Sequence, residues 1–246
     1  MPPDRAVPLD DLYRARFPGQ DALAAKRALW RALCRGFFQR YVPEDATVVD
    51  LAAGYCEFIN EIRARRRIAV DLNPDTAEQA DDGVEVIQAS ASELGVLGDG
   101  TVDVVFASNL FEHLHSPEQL VQTLQEARRI LVPGGRLLVL QPNIRLVGGR
   151  YWDFLDHRLA LTEHSLGEAC QLAGLRVVES RTRFLPYTTK GRIPVAAALV
   201  RPYLALRPLQ WLFGKQTFLV ATPMDQQDRH GSPATPDRGR DGGATG

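Results

Sequence analysis

Thr47-Val48-Val49-Asp50-Leu51-Ala52-Ala53-Gly54-Tyr55-Cys56-Glu57-Phe58-Ile59 is the stretch from which the rest of the chain is read. Val48 to Leu51 is a short β-branched run of the kind that forms a buried parallel strand, and small residues follow it just before helical patterning begins. Ala52, Ala53 and Gly54 leave little side chain in the way of a ligand. The first N–H groups of the following helix can face a polar or anionic group. Arg67-Ile68-Ala69-Val70-Asp71-Leu72 reads as a second buried strand that ends in a carboxylate, 17 positions after Gly54. In nucleoside-binding strand-turn-helix-strand folds an acid near that distance hydrogen-bonds ribose hydroxyls. Either aspartate alone is as well explained as a helix cap. Together, at the ends of consecutive strands, they favour a nucleoside site.

Further strands are expected at Val84 to Ile87, Val102 to Ala107, Arg136 to Leu140, Leu175 to Phe184 and Thr217 to Thr222. Amphipathic helices are expected over Asp21 to Tyr41, Glu57 to Arg66, Pro117 to Ile130 or Leu131, and from Thr162 to Leu172. The basic face of the first of these, with Lys26, Arg27, Arg31, Arg35 and Arg40, is read as solvated. The Arg63 to Arg67 run suits the negative end of a helix dipole. Ser116-Pro117-Glu118 is a strong helix start, because serine caps, proline suits the first position and glutamate favours the positive end. Pro133-Gly134-Gly135 is read as the helix stop that turns the chain into the next strand.

The stretch 48–57, Val70-Asp71, Val102 to Leu114 and Leu131 to Leu137, in this order, resemble the motifs of class I S-adenosylmethionine-dependent methyltransferases. The resemblance covers roughly residues 45–185 and implies an α/β fold: a Rossmann-like, doubly wound, seven-stranded sheet, mostly parallel with one antiparallel strand and helices on both faces. It departs from the usual Asp-x-Gly-x-Gly-x-Gly at two places, where Ala52 and Cys56 stand for glycine. Cys56 would be strained if that position needs a positive φ. The implied cofactor is S-adenosyl-L-methionine, with Asp50, Ala52 and Gly54 on its methionine side, Asp71 and Leu72 at the ribose and adenine, Ser90 and Ala91 at the adenine, and Ser108 and Asn109 beneath the methyl group. Ser90 stands where the family often has an aspartate, and a turn-forming role for it is an equal alternative.

For catalysis the candidates are His157 and His113. Each has a bland alternative: His113 as a helix-start residue, and Tyr151-Trp152-Asp153-Phe154-Leu155-Asp156-His157-Arg158 as a structural plug over the cleft. Asp156 and His157 could pair as base and orienting carboxylate. The expected reaction is methyl transfer to an oxygen of a small-molecule, sugar or lipid-linked acceptor. A methyltransferase-like scaffold that binds the cofactor without turnover is the alternative. An NAD-dependent oxidoreductase fits less well, since Glu57 occupies the place of a packing glycine.

The chain has 246 residues, 45% of them hydrophobic, enough for one good core. Lys+Arg 29 against Asp+Glu 30 argues against a broad nucleic-acid surface. Three scattered cysteines, Cys34, Cys56 and Cys170, point to neither a disulfide framework nor a zinc site, so no metal is expected and a cytoplasmic setting fits best. The organisation expected is an N-terminal helical cap over 1–44, a methyltransferase domain over 45–223 with an insertion at 185–216, and a disordered tail over 224–246. Within the insertion, 193–213 mixes aromatic and aliphatic residues with arginines and prolines. Packing against the protein itself or a second subunit and peripheral contact with a membrane are its two readings. The oligomeric state is not legible.

Overall fold

The β-branched run around Val48 to Leu51 becomes β1, Thr47–Leu51, buried along its whole length. It lies parallel to β2, Arg66–Asp71, on one side, which is followed outward by β3, Val84–Gln88. On its other side lie β4, Val102–Ser108, and then β5, Leu131–Pro142, also parallel. The structure is a computed structural model that describes residues 20–187 and 197–224. The expected lead-in before Gln20, residues 188–196 of the 185–216 segment and the tail after Met224 lie outside those residues.

The last two strands complete a seven-stranded sheet in the order β3-β2-β1-β4-β5-β7-β6. β7, Gln216–Pro223, enters between β5 and β6, Leu175–Leu185, and runs antiparallel to both. The expected Rossmann-like sheet, mostly parallel with one antiparallel strand, is therefore borne out. Because successive side chains of a strand point to opposite faces, β1 feeds two cores. Val49 and Leu51 pack with Leu120 and Leu124 of α4, Pro117–Ile130, and with Leu166 and Ala169 of α6, Glu163–Leu172. Val48 packs on the opposite face with Leu33 of α1, Gln20–Gly36, and Phe58 of α2, Glu57–Glu61. Two short helices, α3 at Thr76–Gln79 and α5 at Ile144–Val147, follow β2 and β5. The β6 to β7 connection carries α7, Ala197–Ala205, and α8, Arg207–Phe213.

Several local readings are refined by packing. The first helix stops at Gly36 rather than Tyr41, and a tight turn at Phe38–Tyr41 follows. There Phe37 meets Phe184 at 4.2 Å, while Phe38 meets Phe106 at 5.3 Å. The basic face of α1 is not simply solvated: Lys26 pairs with Glu57 at 2.5 Å, and Arg31 holds Glu61 with two nitrogens. α2 ends at Glu61, five residues earlier than the sequence suggested, and within the arginine run it is Arg67 whose guanidinium donates to the carbonyls of Ile59 and Asn60, at 3.3 Å each. Ser116 caps α4 as expected, accepting from the Gln119 N–H at 3.3 Å.

The Pro133-Gly134-Gly135 turn behaves differently from a helix stop. β5 begins before it, at Leu131, and carries it as a bulge: Val102 faces Leu131, yet Val104 already faces Arg136. Gly134 takes φ +77, and a Cβ on Gly135 would lie 2.9 Å from the Val132 carbonyl oxygen and 3.1 Å from that of Asp103. Only glycine fits there.

Candidate active site

The strand order reverses between β1 and β4, since β1 connects onward toward β2 and β4 toward β5. Open α/β sheets leave a crevice beyond the carboxyl ends of strands at such a reversal. The chain's backbone strain gathers there. Among the described residues the non-glycine residues with positive φ are Ala52 at 55°, Cys56 at 58° and Asn109 at 50°, and all three follow β1 or β4. Gly54 shares the conformation at 53°, so every position of the Ala52-x-Gly54-x-Cys56 turn where the resembling family has glycine is left-handed here. Such a conformation costs a residue with a Cβ about 1–2 kcal/mol. Strain of this kind persists where the surroundings over-determine it, and it clusters at functional sites.

The surroundings are visible. The Gly54 N–H donates to Asp71 Oδ2 at 2.7 Å, and the Asn73 N–H donates to Oδ1 at 2.8 Å. The Ala53 N–H donates to the Val70 carbonyl at 3.2 Å. Asp71, 8% exposed, thus ties the turn after β1 to the end of β2, and each oxygen retains a lone pair for a further donor. Asp50 is 4% exposed and lies close by. Burial pushes its carboxyl well above the usual carboxylate range, the charges of Glu57 and Asp71 push it further, and a hydrogen bond from the Ile59 backbone opposes them. Cys56 is wholly buried beside these acids, with its thiol pushed up to about 12 by burial first and then by Asp50. It is a packing residue and not a nucleophile.

On the far side of Asp71, Leu72 is exposed, and the Ala89 N–H donates to the Asp71 carbonyl at 3.1 Å, so the ends of β2 and β3 stay in register. Ser90 Oγ lies 2.8 Å from Ser92 Oγ and accepts from the Ser92 N–H at 3.3 Å, which makes it a turn-former, with Ala91 half-buried beside it. Asn109 donates from Nδ2 to Ser108 Oγ at 2.9 Å, and its N–H donates to the Leu140 carbonyl at 2.9 Å, which locks the floor of the crevice to β5.

A second cluster stands on the same sheet edge, built from the turn after β4 and the segment after β5. Glu112 is 1% exposed and accepts from Gln141 Nε2 at 2.9 Å, while its backbone carbonyl accepts from the N–H groups of Arg158 and Leu159 at 2.7 and 3.2 Å. Burial raises the Glu112 carboxyl, against the opposing effects of His113 and Gln141. His113 Nδ1 is 3.1 Å from Asp156 Oδ2, and its Nε2 is 3.9 Å from Glu112 Oε1. Burial pulls the His113 imidazole down, but the hydrogen bond to Asp156 and the charge of Glu112 more than offset it and leave it raised.

The carboxylate that the sequence offered to His157 therefore meets His113. His157 is buried among rings, 4.7 Å from Tyr151, 5.0 Å from Phe154 and 5.0 Å from His113. Tyr151 is itself fully buried and donates to the Leu159 carbonyl, so the aromatic segment is both a plug and a wall of the cluster. His164 is exposed next to Glu163, and His115 meets Arg158. Neither joins the cluster. Glu112 and Gln141 are the members that reading the sequence passed over; the one sign of them is the adjacency of Glu112 to His113.

Glu112, His113 and His157 each offer a ligand atom, all within 4.8 Å of one another, so this is also where a cation could sit. With Asp156 behind His113 and Gln141 behind Glu112, the outer partners suit a metal's supporting shell and a proton relay equally.

Comparison with known proteins agrees with this geometry. Residues 49–139 match the family model described as "Methyltransferase domain". An uncharacterized methyltransferase of Mycobacterium sp. (strain JLS) is 30% identical over 177 residues, which is 69% of this chain and 62% of that protein. A protein of transposon TN4556 from Streptomyces fradiae is 36% identical over 83 residues, 32% of this chain and 23% of that protein. The chain thus spans less than two thirds of the length of either relative. Among solved structures, a SAM-dependent methyltransferase from Archaeoglobus fulgidus superposes with a TM-score of 0.58 at 21% identity, covering 86% of this chain and 98% of that one. The chain solved with the Trm112 methyltransferase activator of Haloferax volcanii reaches 0.63 at 19% identity, over 87% and 97%. At such identities the structures speak for the fold. With the family match over residues 49–139 they show a methyltransferase-like Rossmann fold.

Proposed function

We propose that the protein transfers a methyl group from S-adenosylmethionine to a hydroxyl oxygen of a small, sugar or lipid-linked acceptor. The observation that carries this reading is the tie between Gly54 and Asp71 across the reversal of the sheet, beside the strained turn and the buried Asp50. These residues suit the cofactor. Asp71 keeps acceptor capacity toward ribose hydroxyls, and Asp50 is a carboxyl whose charged form lacks a cation that the cofactor's ammonium and sulfonium would supply. When bound, S-adenosylmethionine supplies an electrophilic methyl carbon and leaves as a neutral thioether.

The chain's own part is alignment and proton removal. Holding two partners in line in a dry crevice is worth effective molarities on the order of 10⁵ M or more. Asp156 holds the Nδ1–H of His113, which leaves Nε2 as the basic nitrogen that takes the acceptor's hydroxyl proton. The His113 side chain is 30% exposed and within reach of an acceptor, whereas His157 walls the cluster. Gln141 Oε1, buried and without a hydrogen-bond partner among the described residues, is available to a second acceptor hydroxyl.

Incubation of the purified protein with methyl-labelled cofactor and hydroxylated acceptors, with and without a chelator, tests this. Label appearing in an acceptor, undiminished by the chelator, is the expected result. Cofactor binding without transfer would favour the non-catalytic scaffold, which the side chains at Ala52 and Cys56 keep in view. Loss of transfer on chelation would make Glu112, His113 and His157 metal ligands in place of a base.

A further inference from the structure

The helices between β6 and β7 are built inside out. In α8 the buried residue is Gln210, whose Nε2 donates to the Leu204 carbonyl at 3.0 Å, while Trp211 at 69% and Leu212 at 59% stand exposed with Phe213 beside them. The orientation is pinned and not loose. Arg183 Nη1 donates to the Trp211 carbonyl at 2.9 Å, and a Cβ on Gly214 would lie 2.4 Å from the Gln210 carbonyl oxygen and 2.9 Å from the Phe184 nitrogen. α7 is anchored by buried Val200 and by Tyr203, which donates to the Phe184 carbonyl at 2.6 Å, and it leaves Leu199 and the following Leu206 exposed. No helix among the described residues is long and apolar enough to cross a membrane; Pro202 lies inside α7, and Pro208 stands in the first turn of α8.

The charge on this face is one-sided. From Arg181 to Met224 the sequence contains no Asp or Glu, while Arg183, Arg201, Arg207 and Lys215 fall within it, in a chain whose overall charge is −1. A two-fold contact between copies would set Arg201 and Arg207 against their own kind. An anionic surface with an apolar interior meets both the arginines and the exposed tryptophan and leucines. The connection also leaves and re-enters at the carboxyl edge of the sheet, where the Lys215 N–H donates to the Leu185 carbonyl at 2.8 Å and the Asn143 N–H to the Lys215 carbonyl at 3.0 Å. That edge carries Gly54, Asp71 and His113.

We propose that α7 and α8 dock the protein on an anionic lipid bilayer, so that the acceptor is one anchored in, or dissolved at, that bilayer. Docking stands on the face alone, and the acceptor class rests in addition on the function proposed above.

The test is co-sedimentation of the full chain with vesicles of phosphatidylcholine alone or mixed with phosphatidylglycerol, alongside S-adenosylmethionine calorimetry. Binding to the anionic vesicles is expected to exceed binding to phosphatidylcholine by roughly tenfold or more, since each cation at such a surface contributes on the order of 1 kcal/mol. Arg201→Glu with Arg207→Glu removes that preference. Trp211→Ser with Leu212→Ser lowers binding to both vesicles at least about tenfold, and all variants keep the cofactor affinity of the parent, which shows that they fold. No association with either vesicle overturns the proposal. So does a dimer in solution that the Trp211→Ser, Leu212→Ser variant dissolves, which would make the face a contact between copies. Vesicle binding by a protein that fails to bind S-adenosylmethionine would leave docking intact and remove the methyltransferase reading; the reverse pattern would remove docking alone.

Discussion

The two halves of the carboxyl edge are made in different ways. The β1 side is a backbone construction: alternate left-handed residues, N–H groups, and a single carboxylate that bridges two strand ends. The cluster below the β5 segment is a side-chain construction, in which Glu112, His113, Gln141, Tyr151, Asp156 and His157 converge from separate parts of the chain. A backbone cradle suits a ligand that never changes. A side-chain cluster can be altered without disturbing the sheet, so on the function proposed the first half would take the cofactor and the second the acceptor.

That contrast breaks most easily at Asp71. Asp71→Ala removes the acceptor for two backbone N–H groups and any ribose contact, and it is expected to weaken S-adenosylmethionine binding by about 100-fold or more by calorimetry, with the circular dichroism unchanged. Undiminished affinity would detach the turn from the cofactor. Next in size, His113→Ala is expected to lower kcat by roughly 10²–10³ while leaving cofactor affinity alone. His113 must be neutral to take a proton, so turnover rises with pH through its raised value. Asp156→Asn weakens the interactions that raise it, leaving the charge of Glu112, and shifts that rising limb to lower pH. A pH profile that does not move would reduce Asp156 to a structural partner.

Asp50→Asn should act on both function and stability. A carboxyl whose folded value is raised makes the native state more stable when protonated, so that contribution is lost as pH rises from the unfolded value of 3.8 through the folded one. At neutral pH the amide is expected to stabilise the protein by about 1–3 kcal/mol, still accepting from the Ile59 N–H, while cofactor binding weakens. The stability difference shrinks on acidification in thermal melts. An equal Tm for both proteins at pH 7 would mean that Asp50 is not strained by its burial.

Smallest of all, Ala52→Gly relieves a left-handed alanine at about 1–2 kcal/mol but adds chain entropy of about 0.5–1 kcal/mol to the unfolded state. A net gain of about 0.5 kcal/mol in urea unfolding is expected, and a loss would show that the methyl group is packed.

Much of the β1 half was legible before any coordinates, because its signal is contiguous. Val48 to Leu51, the small residues after them and Asp71 lie on one strand-turn-helix-strand unit, and such units are recognised by local pattern. The same locality explains Ser116 at the start of α4. It also explains two misreadings. Pro133-Gly134-Gly135 has the composition of a helix stop, but whether it ends a helix or bulges a strand depends on where Val102 and Val104 find their partners. The basic residues of the first expected helix read as solvated, and Arg31, Arg35 and Arg40 are exposed, but Lys26 also finds Glu57 and Arg31 finds Glu61 opposite them.

What the residues alone settled was the sheet, the crevice position and the acids at its rim, since strand propensity and turn chemistry act over a handful of neighbours. That Asp156 turns to His113, that Gln141 reaches Glu112, and that α8 buries glutamine and shows tryptophan to the outside belong to contacts between segments tens of residues apart. Such contacts follow from which elements the sheet sets side by side, and no periodicity within a segment encodes them.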